Sequence, residues 1–292
     1  MSTASSAAIA ASRRPLDAAA FADMVGPGRT LSRLDIVASS PSTNSALLEA
    51  VQAEPEAWPH LSALVADHQT AGRGRAGRAW ATPARAALTG SYLIRPEAVA
   101  PVPRAAYGWL PLVVGLATVR ALRRAGIGAC LKWPNDVVVE HGARDIPEWG
   151  RWRKCVGILC EAVPGQEAVV AGIGVNVSQS SSELPVPHAA SMATLGAASL
   201  DRVALLRQLA AELRDAVAQW APEAAEGDIA QTADAVSQVC ATLGWDVTID
   251  VPGGVPVTGR AVRLSADGGL VVATAAGEQT VLAGDVRVRR AA

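Results

Sequence analysis

The sequence predicts an α+β protein, with a sheet-based domain over residues 31–243 followed by a small β-barrel over residues 244–292. Three observations carry this. Strand-type and helix-type runs succeed one another without the strict alternation of a doubly wound sheet. After Gly244 the tail breaks into short β-type runs punctuated by Pro252-Gly253-Gly254, Asp267-Gly268-Gly269 and Ala276-Gly277. The chain has 292 residues, half of them hydrophobic, which is enough to bury a large core.

In chain order, Leu31 to Val37 reads as an entering strand. Ser42-Thr43-Asn44 precedes the helix-type run Ser45 to Val51, and these residue types cap helices by accepting from orphan backbone amides. Leu61 to Ala66 and Ala87 to Ile94 read as paired buried strands around a loop at Gln69–Trp80. Tyr107 to Ala125 is helical, with Gly126 as its stop. Ala129 to Val139 is a strand interrupted by Lys132-Trp133-Pro134-Asn135-Asp136. Val156 to Val163 and Ala168 to Val177 form a hairpin around Pro164–Glu167. Leu200 to Trp220 and Ile229 to Leu243 are helical, and four strands follow at 245–251, 257–264, 270–275 and 278–282.

Charge narrows the function. With 26 basic and 27 acidic residues there is no global attraction to nucleic acid, so an anion site must be local. No uninterrupted apolar run reaches the length of a membrane span. Residues 1–30, rich in Ala and Ser at the start, read as a disordered leader rather than a secretory signal. Cys130, Cys155, Cys160 and Cys240 lack zinc-type spacing and fit a reduced cytoplasmic protein.

The most informative segment is Gly72-Arg73-Gly74-Arg75-Ala76-Gly77-Arg78, closing on Trp80. Glycine lets backbone approach a ligand, and arginine offers a fixed fork of donors to phosphate or carboxylate oxygens. Gly/Arg tracts also bind RNA, but those are usually repeated, whereas this one is single and bracketed by two strands. Trp80 reads equally as a base-stacking or a core residue. In Lys132–Asp136 the proline ends a ladder and re-aims side chains; a carboxylate there can hold magnesium near phosphates or orient an incoming amine, while the alternative is a plain turn. Lys154, at the mouth of a buried strand, can offset charge on a transferred group or serve as an edge lysine. Glu161 reads equally as a buried partner or a solvated residue. Gly172 and Gly174 allow close approach of a ligand or mark a bulge, and Asn176 beside them offers donor and acceptor.

These segments and Ser42-Thr43-Asn44 occur in the order and approximate spacing of the biotin–protein ligases, which the chain resembles from Leu34 to Arg290. The resemblance implies a mixed-sheet catalytic domain of the biotin/lipoate ligase type and an SH3-like terminal barrel. It implies conversion of biotin and ATP, with Mg2+, to biotinyl-5′-AMP, then transfer to a lysine of a biotin carboxyl carrier domain. By the same resemblance Ser42, Thr43, Asn44 and Gln69, with Gly72, Gly74, Gly157 and Gly174, line the biotin end. Arg73, Arg75 and Arg78 hold phosphates and the biotin carboxylate. Trp80, Asn135 and Asn176 serve the adenylate, and Lys154 sits at the reacting carbonyl. Asp136, with Lys132, orients magnesium-bound phosphates or the acceptor lysine.

Two departures from the family stand out. No pair of amphipathic helices precedes the matching region, so DNA binding is not expected. The segment Glu140 to Arg153, with Trp149 and Trp152, is longer than a plain turn. A monomer or weak homodimer is expected. Lipoate or octanoate transfer on the same fold, and a nucleic-acid-binding regulator, are the competing readings. The arginine loop and terminal barrel argue against lipoate or octanoate transfer, and the charge balance against a nucleic-acid regulator.

Overall fold

The structure is a computed structural model and describes residues 6–142 and 145–288. Its elements run α1 (Ser6–Ser12), β1 (Arg33–Val37), α2 (Thr43–Ala53), β2 (Ser62–Ala66), β3 (Gly72–Arg73), β4 (Ala79–Trp80), β5 (Ala87–Ile94), α3 (Leu110–Arg124), β6 (Ala129–Lys132), β7 (Asp136–Glu140), β8 (Trp152–Ala162), β9 (Val169–Asn176), α4 (Arg202–Glu226), α5 (Ala230–Ser237), β10 (Asp246–Asp250), β11 (Val257–Leu264), β12 (Leu270–Thr274), β13 (Gly277–Val281) and β14 (Asp285–Val288).

Seven strands form one mixed sheet in the order β1-β2-β5-β9-β8-β7-β6. β1 and β2 are parallel, and every other neighbouring pair is antiparallel. The period of two along a strand divides the sheet into two faces. On β5, Leu88, Tyr92 and Ile94 join the main core with residues of α3 and α4, whereas Leu93 packs with Leu47 and Val51 of α2. Thr89 and Ser91, which share the Leu93 face, are left for the cleft beside α2.

α3 prolongs a 3-10 turn at Arg104–Trp109. The combined stretch Arg104–Arg124 is long and apolar enough to cross a membrane by length and composition, but 67% of its apolar window is buried inside the protein. It is a core helix packed on α4.

The second sheet has five antiparallel strands in the order β13-β12-β11-β10-β14. Among the described residues β13 and β14 are not joined, so the region expected as a small SH3-like barrel is described as a five-stranded antiparallel sheet. Two indoles of the first domain fasten it. Trp109 Nε1 donates to Ala266 O at 2.8 Å and Trp133 Nε1 donates to Gly268 O at 3.0 Å. Gly108 lies so close that a Cβ on it would stand 2.9 Å from Asp267 O.

Two expectations change. Met1–Ser5 of the leader lie outside the described residues, but Leu16, Phe21, Met24 and Leu31 are buried in the core. Arg13 pairs with Glu183 at 2.7 Å, so the segment before residue 31 is ordered well ahead of that point. The last helix ends at Ser237 rather than Leu243 because residues 239–241 pair with the edge strand β6: Leu131 N donates to Val239 O and Ala241 N to Leu131 O, each at 2.8 Å. Covering an edge strand outweighs one more helical turn.

Candidate active site

The cleft lies on the Ser91 face of the sheet, encloses about 350 Å³, and falls in the size range of small-molecule sites. Glycines make its floor. A Cβ on Gly172 would stand 2.2 Å from Asn44 Oδ1, and one on Gly174 would stand 2.6 Å from Trp80 Cε2. A Cβ on Gly157 would reach 3.0 Å from Trp80 Cζ3. Gly157 and Gly174 are register partners on β8 and β9, so the Trp80 indole lies across a bare patch of two strands. The Trp80 Nε1 is buried and has no acceptor among the described residues.

At one end the start of α2 meets Gln69. Thr43 N and Thr43 Oγ1 donate to Gln69 Oε1 at 2.8 and 3.0 Å. Ser42 Oγ accepts from Ser45 N and caps the helix. The chain brings these together because 40–41 and 69–71 run side by side: Thr70 N donates to Ser40 O, and Ala71 N to Pro41 O. Thr43, Asn44, Ser91 and Gln69 are buried, so this end is polar and dry.

Above it, the arginine–glycine segment folds into the β3–β4 ladder, pairing Gly72 with Trp80 and Arg73 with Ala79. Ala76 and Gly77 take positive φ, 52° and 72°, which makes the turn possible. Each arginine reaches a different element. Arg73 pairs with Glu161, Arg75 Nη1 donates to Asn135 Oδ1 at 2.8 Å, and Arg78 pairs with Asp285 of the second sheet at 2.9 Å.

The middle of the cleft holds Lys154 Nζ 2.6 Å from Asp136 Oδ1. Burial opposes ionisation of Asp136, but the Lys154 and Lys132 ammoniums outweigh it and hold the carboxyl below its usual range. Lys132 is 5% exposed, and burial lowers its pKa while Asp136 partly restores it. The interruption at Lys132–Asp136 is a hairpin turn between β6 and β7 with a cis Trp133-Pro134 bond, and Asn135 Nδ2 secures it by donating to Ile158 O at 2.7 Å. The structure brings the residues expected at the site to one cavity, except that Gly72 is held in the β3–β4 ladder rather than on the lining. Lys132 sits behind its wall, against Trp149.

Asn176, expected to serve the adenylate, spends both sides of its amide on the protein. Its Nδ2 donates to Ala190 O and its Oδ1 accepts from Gln179 Nε2, so it shapes this end by fixing the segment around 190.

Other lining residues escaped the sequence. Trp149 stacks on His188 with centroids 4.1 Å apart and planes 8° apart, and Lys132 Nζ lies 4.6 Å from the same indole. Burial and the nearby Lys154 push the His188 pKa down to about 4. Lys154 N donates to His188 O, which ties this wall to β8. Trp149 of the long 140–153 segment therefore lines the cleft, and a tryptophan in a connecting segment was its one visible signal. Ser91 and Glu161 join the site through hydrogen bonds to Asn44.

Comparison with known proteins places the chain in a family. The model described as "Biotin/lipoate A/B protein ligase family" matches residues 36–178, and "Biotin protein ligase C terminal domain" matches residues 242–289. The biotin--[acetyl-CoA-carboxylase] ligase of Mycobacterium tuberculosis is 38% identical over 281 residues, covering 94% of this chain and 96% of that protein. The bifunctional ligase/repressor BirA of Escherichia coli is 36% identical over 160 residues, 53% of this chain and 45% of that protein. A biotin protein ligase from Aquifex aeolicus, solved in complex with biotin and ATP, superposes with a TM-score of 0.67 at 28% identity, covering 89% of this chain and all of that one. By these matches the chain belongs to the biotin–protein ligases of the biotin/lipoate A/B protein ligase family.

Proposed function

We propose that this cleft activates the carboxylate of biotin with ATP, giving biotinyl-5′-AMP and pyrophosphate, and then passes the acyl group to a lysine of a biotin carboxyl carrier domain. The observation that carries the reading is the placement of Lys154 and Asp136, 2.6 Å apart, between a dry polar end and a lid of three arginines. A carboxylate is a poor acyl donor, and adenylation gives it a leaving group. The Thr43, Asn44, Ser91 and Gln69 end offers the donors and acceptors that a ureido ring needs, and Lys154 lies where charge collects on the acyl phosphate. Arg73, Arg75 and Trp80 close over the mixed anhydride and keep water away until the acceptor docks. The acceptor ammonium loses a proton before its nitrogen attacks the acyl carbon and AMP departs. Asp136, kept ionised by two lysines, is the carboxylate on the cleft lining placed to orient that amine.

Magnesium belongs with the nucleotide in this reading. Among the described residues Asp136 is the only carboxylate on the cleft lining and is already engaged by Lys154, and no group of three His, Cys, Asp or Glu side chains there forms a metal site. That donor set does not make a resident octahedral site, so the ion comes as counter-ion of the ATP phosphates. We also take residues 31–243 as the catalytic unit and 244–292 as the terminal unit, working in the cytoplasm as a monomer or weak homodimer independent of DNA.

The test is mass spectrometry of a carrier domain incubated with this protein, magnesium ATP and either biotin or lipoate. One biotin added per carrier supports the reading. Modification with lipoate and none with biotin overturns it.

A further inference from the structure

One hydrogen-bonded chain runs from the ring end of the cleft to the lid. Ser91 Oγ lies 2.8 Å from Thr43 Oγ1 and 2.5 Å from Asn44 Oδ1. Asn44 Nδ2 donates to Leu159 O at 3.0 Å and to Glu161 Oε2 at 2.8 Å. Both Glu161 oxygens accept from Arg73 Nη2, at 3.0 and 2.9 Å. The Asn44 orientation is dictated by chemistry, because Leu159 O and an ionised Glu161 only accept. The Gln69 orientation follows likewise, because Thr43 N only donates.

Proton counting shows that the chain is incomplete at its inner end. The contacts Thr43–Gln69, Ser91–Thr43 and Ser91–Asn44 are three, but Thr43 and Ser91 bring only two hydroxyl protons. Whichever way the two hydroxyls turn, this end keeps an unmet acceptor, which suits a ligand N–H. A urea-type ring supplies that donor and offers a carbonyl in return. At the outer end, Arg73 uses only Nη2 on Glu161, and its Nε and Nη1 have no protein acceptor among the described residues. Arg73 can therefore hold Glu161 and a ligand oxygen together.

We infer that Glu161 is a positioning residue that couples the two ends: it fixes Asn44 beneath the ring and Arg73 above the cleft, so that filling the ring end steadies the lid. The inference rests on the ligase reading above and names no new reacting group. It gives a role to a side chain whose direction the sequence left open.

The experiment follows release of biotinyl-5′-AMP in a chase, with KM for biotin, kcat and the melting temperature, in the full chain. Glu161→Ala is expected to release the intermediate about tenfold faster, the scale of one charge-assisted hydrogen bond. KM for biotin rises with it, while Asn44 keeps Leu159 O and the melting temperature moves little. Glu161→Asp restores part of the retention. For release of the intermediate, Arg73→Ala together with Glu161→Ala is no worse than Arg73→Ala alone, since Glu161 reaches the lid through Arg73, while KM for biotin still rises through Asn44. Unchanged release, a lowered melting temperature with normal release, or fully additive losses overturn the inference. Slower release does so too, because Glu161 would then be competing with the ligand for Arg73. A wild-type protein that forms no biotinyl-5′-AMP defeats the ligase reading itself, an outcome visible before any variant is compared.

Discussion

Gly174→Ala tests whether the seat of Trp80 governs the lid. A methyl group at this position would stand 2.6 Å from Trp80 Cε2 and 2.8 Å from both Cζ2 and Nε1. Carbon atoms rest at about 3.5–4.0 Å, so the indole must rise by about 1 Å. It cannot tilt freely, because Gly157 lies under its other edge and Trp80 is laddered to Gly72 at the root of the lid. Overpacking of this kind costs about 1–3 kcal/mol, and 1.4 kcal/mol is tenfold in a rate or equilibrium, so biotinyl-5′-AMP release should quicken about 5- to 150-fold. If the fold itself carried the strain, each kilocalorie would lower the melting temperature by about 2–4 °C. Because the lid can lift, the melting temperature should move less than that while retention collapses. The assay pairs a chase of radiolabelled intermediate with a thermal melt. Gly174→Ala in a Trp80→Ala background should be nearly silent, since the added methyl then occupies vacated space. Unchanged retention in the single variant, or the same loss in both backgrounds, refutes the seat.

Lys154→Ala should slow biotin-dependent pyrophosphate exchange about a hundredfold or more, the usual scale for removing one charge-stabilising donor; full exchange would make Lys154 structural. Arg202→Met should destabilise the fold by about 3–5 kcal/mol, because it strands Asp67, which Arg202 meets at 2.9 Å with both side chains almost fully buried. Adding Asp67→Leu should recover much of that loss in a denaturant titration, and no recovery would mean that the pair is not the cause. His60 sits near pKa 4 through burial and then Arg95, and its Nδ1 accepts from Arg95 N. The folded state thus holds it neutral, while the unfolded chain takes a proton near pH 6.5. Its contribution is whole above that pH and declines as pH falls toward about 4. His60→Asn, which keeps an acceptor, should flatten that part of the stability–pH curve, and an unchanged slope counts against it.

Much of this architecture is local chemistry and was readable. The proline in Lys132–Asp136 ended a strand, and the glycines of β9 left a floor, because both act within a few residues. The arginine–glycine segment stood out from residue type alone, and it lies on the cleft. The side chains it settles on were not legible, since Glu161, Asn135 and Asp285 lie 60 or more residues away in sequence. Separation in sequence also hid the Trp149–His188 wall. Glu161 was undecided because alternation in β8 says which face it shares, not which helix or loop stands over that face. β14 follows directly on a turn at Gly284 and is only four residues long, too short to declare itself before its partner β10 is known.

The two indole N–H groups that grip Ala266 O and Gly268 O have a practical consequence for protein engineering. The terminal sheet is keyed into the first domain by turn backbone as well as by packed side chains such as Trp245 on Trp152. A chain cut after Leu243 would leave Trp109 and Trp133 with buried donors facing solvent or nothing, at a cost of about 1–3 kcal/mol for each one left unpaired. Chimeras that exchange the last fifty residues between relatives should therefore carry the Ser265–Gly269 turn and its two tryptophans as one cassette.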